Sequence, residues 1–486
     1  MKSNVQPKHS KMSIMTDEIK VKRINNCIAN KVNFISGTVS PVPSVKDKKD
    51  NDLMPDDLES LESGVRFMFD NYKRFAPEQK QDQDQNQDQD QDQDLINRPA
   101  KGLTLSIQPK FMGSRINMYI FKDDHLKKSY CITRNGFRCS IPREQLEPVY
   151  DTIHKRLESF MNENKVRIMI LDGEMLPWSA LGTSLIVNEF LPVDKGLETE
   201  IELMKRYNFD DHLEKQKASL QGIDIHATES IESTESMYKI YHEQMKLYAG
   251  YDSFLNNTYT ELKQATQYTE LDETNQPMVD LTSGLNNSYK NLSYKPFGIL
   301  KMCFDDGSES IPLIDQTFSQ SEMYEMLRDP SVAEDSQLII TVTDENITDS
   351  IIAIRKFFNS LTYERGSDPS GVDQRLPNKN QFEGIVMKPD YIIKGYIPMM
   401  KCRNTEYLTI IYGYDYKTPQ KLKRLVTNKS TKSKIKQSIK EFETGGGLEM
   451  LKINYNEIND DNEDYHKLLA KCLFNEEMGL GLDPRL

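Results

Sequence analysis

Lys110 is the residue whose surroundings point most directly to covalent chemistry, because it lies in the hexapeptide KFMGSR at the end of a strand-like run. A lysine amine is nucleophilic only when neutral. Its usual pKa of about 10.4 must be lowered by burial or by neighbouring positive charge to allow this near pH 7. Gly113 would let a phosphate or sugar approach the backbone, and Arg115 could hold either group. Taken alone, such a hexapeptide is more often a surface turn.

Three other segments place charged residues beside strand-like runs. The tetrapeptide TRNG would present Arg134 from a turn. The tripeptide DGE closes an apolar run with Asp172 and Glu174, and buried carboxylates must be hydrogen-bonded, paired or metal-bound. The segment MKCR would put Lys401 and Arg403 on one strand face. Each of these segments alone is most often an ordinary turn or a run of exposed charge.

The octapeptide FEGIVMKP carries Glu383 and Lys388 at the two ends of an apolar strand. Strict alternation would put these two side chains on opposite faces of the sheet. Pro389 suggests that the strand bends at its end, which leaves the placement of Lys388 open.

In chain order, the segments read K-x-x-G-x-R, TRNG, DGE, an aromatic strand with KPF and Phe297, EGIVMK and K-x-R. This order resembles that of the covalent nucleotidyltransferases, which comprise ATP-dependent polynucleotide ligases and mRNA capping enzymes. The chemistry is consistent with the resemblance. A lysine attacks the α-phosphorus of a nucleotide, metal-bound carboxylates neutralise the triphosphate, and further cations stabilise the charge that develops.

Short runs rich in β-branched residues alternate with helical patterns, which predicts an α+β fold with an antiparallel sheet. The predicted helices are 54–75, 147–161 and 344–363, and residues 365–380 are predicted as loop. The predicted strands include 103–111, 294–304, 337–343, 382–388, 391–393 and 406–413.

The domain prediction has three parts. Residues 1–34 are read as a disordered tail, and 35–403 as a nucleotidyltransferase core. That core is interrupted by a disordered Gln-Asp repeat at 79–95 and by a helical insertion at 191–290. Residues 404–486 are read as a C-terminal strand and helical module. Only 83 residues follow Arg403, too few helix-free residues for a five-stranded OB barrel.

Charge and composition exclude several classes of protein. The 62 basic and 75 acidic residues give a net charge of -13, which argues against a general nucleic-acid coat. Residues 417–440 hold nine Lys or Arg and no acid, either as a solvated helix face or as a phosphate-binding surface.

No apolar run approaches the ~18 residues of a membrane span. The six cysteines form no CxxC pair, so a reducing compartment is expected, the cytoplasm or the nucleus.

Met112 stands where most ligases of the superfamily have Asp, and KFMGSR instead resembles the ligase module of the bacterial polynucleotide kinase–phosphatase–ligase (Pnkp) RNA-repair enzymes. The similarity continues through DGEMLPWSALG, YKPFGIL, VTDE, FEGIVMKP, MKCRNTEYLTIIYG and LDPRL, and it covers about residues 35–486. No GxxxxGK[ST] P-loop occurs, so no kinase module accompanies it. The resemblance implies an ATP-grasp-like nucleotidyltransferase core with helical additions and no OB-fold.

The resemblance also implies roles for individual residues. Lys110 would form the lysyl–AMP bond, and Glu383 would serve the metal, Mg²⁺ or Mn²⁺. Phe297 would stack on adenine, with Arg403 a less direct contact. The other nucleotide-binding residues it implies are Arg115, Arg134, Glu174, Lys388 and Lys401.

The activity implied is an ATP-dependent RNA ligase that joins 5′-phosphate and 3′-OH ends. Its implied partners are a separate kinase–phosphatase and an RNA 3′-terminal methyltransferase. Two alternatives stay open: a capping-type guanylyltransferase, and a non-catalytic nucleic-acid-binding relic of the fold.

Overall fold

The computed structural model describes residues 17–37, 39–49, 52–75, 102–178, 180–181, 191–220, 242, 245, 292–367, 373–377, 382–392, 399–413, 415–443 and 446–479. The strands are β1 (Ser40–Pro41), β2 (Leu103–Phe111), β3 (Ser114–Phe121), β4 (Tyr130–Thr133), β5 (Val166–Leu176), β6 (Ser293–Phe304), β7 (Glu309–Ser310), β8 (Leu338–Val342), β9 (Tyr363–Ser367), β10 (Asp373–Pro377), β11 (Phe382–Pro389) and β12 (Met400–Arg403). The helices are α1 (Asp17–Ala29), α2 (Leu61–Phe75), α3 (His125–Lys128), α4 (Arg143–Glu163), α5 (Leu191–Arg206), α6 (Phe209–Leu220), α7 (Pro312–Asp315), α8 (Gln320–Leu327), α9 (Ile347–Thr362), α10 (Thr405–Tyr412), α11 (Pro419–Thr427), α12 (Ser430–Glu443), α13 (Gly446–Leu451) and α14 (Glu463–Gly479).

Two five-stranded sheets form the centre of the molecule. The first has the order β1-β12-β11-β2-β8, and the second has the order β4-β3-β5-β6-β7. Within these sheets only the pairing of β1 with β12 is parallel. The described elements after Arg403 are all helical. The predicted α+β core of antiparallel sheets with a helical C-terminal part is therefore confirmed. Within the described ranges, no helix has the length and apolar content needed to cross a bilayer.

Alternation along β2 separates a core face from a pocket face. Leu103, Leu105 and Ile107 are buried in an apolar cluster that α2 and α9 complete. The intervening side chains, which include Gln108 and Lys110, line a pocket on the opposite side of the sheet. The period-two pattern of the sequence thus fixes which side chains of this strand are available for chemistry.

A bulge in β11 moves Glu383 onto the pocket face. Phe382 pairs with Phe111 and Gly384 pairs with Lys110, so Glu383 is an extra residue in the ladder. Two residues of the bulged strand then oppose one on its partner, and alternation is reversed from that point on. The carboxylate and the lysine at the far end of β11 therefore share one face.

A second bulge lies in β6. Gly298 pairs with Asp172 and Pro296 pairs with Gly173, which leaves Phe297 as the extra residue. Both sheets thus use an irregularity to present a side chain to the space between them.

The prediction of a disordered tail over residues 1–34 is wrong for its second half. Residues 17–29 form α1, and Cys27 and Val32 are completely buried. The Asn33 side chain donates to the Met450 carbonyl at 2.7 Å. The partners of this segment lie far away in the chain, so its local composition did not reveal them. Residues 1–16 lie outside the described part.

Three predictions of local structure are corrected. The predicted strand 406–413 is helix α10, because the Asn404 side chain caps it by accepting from the Tyr407 N–H at 2.7 Å. The predicted loop 365–380 contains the hairpin strands β9 and β10, whose cross-strand pairing has no local apolar signature. Tyr391 and Ile392 are not part of a strand.

The Gln-Asp repeat at 79–95 lies outside the described residues. The first part of the predicted helical insertion at 191–290 is described as α5 and α6, and most of the remainder lies outside. The division into a core and a C-terminal module stays a prediction, without the strand expected after Arg403.

Replacing Gly384 by alanine should test the β11 bulge. Gly384 has φ +152°, and a Cβ there would lie 2.1 Å from the Cys402 carbonyl oxygen. Gly307 also has a positive φ, +86°, but open space around it. We expect Gly384→Ala to lower the free energy of unfolding by about 3 kcal/mol or more, and Gly307→Ala by about 1 kcal/mol. Urea denaturation measures both, and equal losses would contradict the close approach.

Candidate active site

The two sheets enclose a pocket between them. β2, β11 and β12 contribute from the first sheet, and β3, β5 and β6 contribute from the second. Of the predicted site residues, Glu383 and the less direct contact Arg403 are not in the wall, and Glu383 is buried against Lys110. The charged lining residues are six cations and one carboxylate, namely Lys110, Arg115, Arg134, Lys388, Lys401, Lys434 and Glu174.

Lys110 and Glu383 form an ion pair across the β2–β11 ladder. Lys110 Nζ lies 2.6 Å from Glu383 Oε2, and the two side chains are 19% and 6% exposed. The backbone of Glu383 is held as well, because the Asn404 N–H donates to its carbonyl at 2.7 Å. The lysine is therefore fixed in position and reaches the pocket from one side only.

On the second sheet, Arg115 donates from Nε and Nη2 to the Asp172 carboxylate at 3.0 and 2.5 Å. Asn117 Nδ2 donates to the same carboxylate at 3.2 Å, so this buried acid is well satisfied. Glu174 differs, because burial raises its pKa to about 8. The positive charge of Lys110 opposes this shift, and the negative charge of Glu383 adds to it. The two acids of the DGE segment thus have separate roles.

Phe297 carries cations close to its ring. Lys388 Nζ lies 4.6 Å from the ring centroid, and Arg115 Cζ lies 5.8 Å from it. Burial lowers the pKa of Lys388 to about 7, although the negative charge of Asp172 acts in the other direction. Lys388 reaches this face by regular alternation with Val386, without a bend at Pro389; the bulge is what brings Glu383 to the same side.

Burial also holds the pKa of Lys401 well below its ordinary value, and the charges of Arg403 and Lys110 add to the shift. A buried amine is protonated more readily when an anion lies beside it. The lysines of this pocket are therefore suited to phosphate oxygens.

Arg134 lies in the turn after β4 and lines the pocket. Helix α1 supports this turn, because Arg23 Nε donates to the Asn135 carbonyl at 2.9 Å. Gly136 has φ +81°, and a Cβ there would lie 2.3 Å from Cys27 Sγ.

Two expectations from the sequence are corrected. Arg403 is engaged by Glu59, which accepts from its backbone N–H at 2.8 Å and from its Nε at 3.0 Å. It anchors β12 and does not line the pocket. Gly113 admits protein backbone rather than a ligand, because a Cβ there would lie 2.4 Å from the Met175 carbonyl oxygen.

Comparison with known proteins bears on this site. Residues 375–457 match the family model described as the PNKP adenylyltransferase domain, ligase domain. A chain of the solved "Structure of Pnkp1/Rnl/Hen1 complex" has a TM-score of 0.64 and 21% identity, over 96% of this chain and 99% of that chain. A chain of the "Structure of the Pnkp1/Rnl/Hen1 RNA repair complex" has a TM-score of 0.61 and 20% identity, over 97% of this chain and 100% of that chain.

The predicted resemblance to a Pnkp-type ligase module is confirmed. No curated protein shows significant sequence similarity to the chain. At such low identity the solved structures show a shared fold, and the chemistry of this site depends on its own residues.

Gln108 is a pocket residue that sequence interpretation missed. Gln337 Nε2 donates to the Ser321 carbonyl, so its Oε1 is free to accept from Ser106 Oγ at 2.8 Å. Ser106 Oγ in turn accepts from Gln108 Nε2 at 2.9 Å. These three hydrogen bonds fix the orientation of the Gln108 amide. Its Oε1 is then an available acceptor, buried and without a partner among the described residues. The sequence did hold a signal for this residue: Gln108 lies two residues before Lys110 on a strand, so both side chains point to the same face.

Two carboxylates lie where a divalent cation could bind. In the described part of the chain, no group of three or more His, Cys, Asp or Glu forms a metal site. Mg²⁺ usually takes one or two carboxylates and completes its octahedron with water and phosphate oxygens. Glu383 and Glu174, which interact electrostatically, would supply the two carboxylates that such a site needs. The metal role of Glu383 stays a prediction.

Glu174→Gln should make the stability of the protein less dependent on pH. The pKa of Glu174 rises from 4.5 to about 8 on folding, so only the unfolded chain ionises between these values. Wild-type stability therefore falls as pH rises through that window, whereas the glutamine variant lacks this loss. We expect the variant to gain on the order of 2 kcal/mol over wild type between pH 5 and 8.5, with partial exposure taken into account.

Urea denaturation at the two pH values measures this difference. Glu158→Gln, on the exposed side of α4, is the matched control. A pH-independent difference between Glu174→Gln and wild type would contradict the assignment.

Proposed function

We propose that this protein is an ATP-dependent RNA ligase that forms a lysyl–AMP intermediate on Lys110 and joins 5′-phosphate and 3′-OH RNA ends. The observation that carries the proposal is the Lys110–Glu383 pair, with 2.6 Å between Nζ and Oε2, in a pocket that also presents an aromatic ring and five further cations. A surface turn has no reason to assemble these groups.

In the proposed first step, the Glu383 carboxylate takes a proton from the Lys110 ammonium, and the neutral amine attacks the α-phosphorus of ATP. A nitrogen–phosphorus bond forms as the bond from the α-phosphorus to the bridging oxygen breaks, and pyrophosphate leaves with that electron pair. The nitrogen loses its second proton to solvent. Glu383 accepts a hydrogen bond from the amine and orients it. Lys388 and Lys401 stabilise the negative charge on the phosphates, and Phe297 stacks on the base.

A divalent cation, Mg²⁺ or Mn²⁺, would be held by Glu383 and, in its ionised form, by Glu174. It would supply charge neutralisation to the phosphates.

Two alternatives are less well supported. A guanylyltransferase would need a donor for the carbonyl oxygen of guanine, whereas Gln108 Oε1 is an acceptor that suits the amino group of adenine. A non-catalytic relic would have no need to keep Lys110, Glu174, Glu383 and Lys401 in one site.

The partners proposed are RNA ends and two proteins. Because the similar solved chains come from Pnkp1/Rnl/Hen1 complexes, we propose that a kinase–phosphatase and an RNA 3′-terminal methyltransferase act with this chain.

Lys110→Ala should abolish the covalent adduct. Wild type incubated with α-labelled ATP and Mg²⁺ or Mn²⁺ should carry label through a denaturing gel. Mild acid should release that label, because it cleaves a nitrogen–phosphorus bond. Lys110→Arg should also fail, because arginine stays protonated. Lys155→Ala, an exposed lysine on α4, should label normally. Label that persists in Lys110→Ala would refute the assignment.

Gln108→Met should reduce the preference for ATP over GTP. It removes the acceptor for the adenine amino group, so the ratio of labelling efficiencies should fall by about tenfold. The matched control is Gln145→Met, which also has an unpartnered buried Oε1 but lies outside the pocket. An unchanged ratio in Gln108→Met would place the base elsewhere.

A further inference from the structure

Lys434 is a pocket residue that belongs to the basic segment 417–440. Most cations of that segment are exposed, which fits either a solvated helix face or a surface for phosphates. Lys434 is different, because it is only 7% exposed and lines the same pocket as Lys110 and Lys401. The exposed cations of the segment are Lys423, Arg424, Lys429, Lys432, Lys436 and Lys440.

Helix α12 holds Lys434 in this position. Its neighbour Ile435 packs in the apolar cluster of the first sheet, and Ser438, one turn further on, is 2% exposed. The helix lies against β1, and Pro41 of that strand pairs with Lys401. Lys434 therefore enters from the β1 edge of the first sheet, beyond Lys401.

We propose that Lys434 binds the two terminal phosphates of the nucleoside triphosphate, an inference that rests on the proposed adenylyltransferase function. Phe297 and Gln108 are suited to the base, and Lys110 must meet the α-phosphorus. Lys401 and Lys434 lie toward the β1 edge, beyond Lys110. They are therefore placed to contact the β- and γ-phosphates.

The chemical consequence concerns the leaving group. When the bond between the α-phosphorus and the bridging oxygen breaks, its electron pair stays with pyrophosphate. An ammonium fixed beside that group stabilises the charge that develops. The C-terminal helical part would thus act in the nucleotide step and not only on RNA.

The test compares the affinities of ATP and AMP. Lys434→Met should weaken ATP binding by about ten- to hundredfold, the range for losing one contact to a charged group, and leave AMP binding within about twofold. Lys434→Arg should keep most of the ATP affinity. The matched controls are Lys432→Met and Lys436→Met, which alter exposed lysines of the same helix and should match wild type. Calorimetry with Mg²⁺ measures all of these, with α,β-methylene ATP in place of ATP so that no adduct forms during the titration.

Two further measurements separate the steps. With adenylylated enzyme, pyrophosphate should regenerate ATP more slowly in Lys434→Met. With enzyme that carries no AMP, sealing of pre-adenylylated RNA should be unchanged. Equal losses of ATP and AMP affinity, or no loss of either, would overturn the inference. A defect confined to sealing would overturn it in favour of an RNA phosphate site.

Failure of the proposed function would look different. Wild type would then form no adduct with ATP, although the comparison of ATP with AMP binding would still decide the role of Lys434. If Lys434→Met does not fold, Lys434→Arg and Lys434→Gln allow the same comparison.

Discussion

One extra residue in the β2–β11 ladder is the constraint on which the site depends. Without the bulge at Glu383, alternation would turn this carboxylate toward the apolar cluster that contains Ile385, where an ionised group is costly. With it, the carboxylate meets Lys110, and Lys388 faces the pocket. The bulge exists because Gly384 lets the neighbouring strand approach more closely than any side chain permits.

The cations in the pocket and directly beside it are of two kinds. Arg115 pairs with the buried carboxylate of Asp172, and Arg403 pairs with that of Glu59. The charge of each arginine is therefore largely balanced within the protein. Lysines 388 and 401 lack comparable compensation, and burial lowers their pKa. An anion beside these lysines would raise their pKa again, so the arginines hold the framework in place and the lysines are the groups that respond to an anion.

Local patterns predicted much of the framework, because β2 alternates, β5 is a continuous apolar run, and the apolar side of α9 follows helical spacing. They failed where such a pattern was overridden. The β-rich residues after Asn404 form a helix because that side chain caps it. The two bulges were not visible, since an inserted residue leaves no mark in composition. Phe297 and Glu383 were identified by motif order, whereas Gln108 and Lys434 belong to no such motif.

Residues 17–37 and the described C-terminal helices were the least predictable part, and they are closely joined. Lys301 donates to Asn33 Oδ1 at 3.0 Å and to the Ile453 carbonyl at 2.7 Å, and it pairs with Glu309. This buried network ties the N-terminal segment, the second sheet and the C-terminal helices together. The same N-terminal segment supports the Arg134 turn, and the same C-terminal part carries Lys434 into the pocket. Neither segment is therefore an accessory to the core, because each supports one part of the pocket wall.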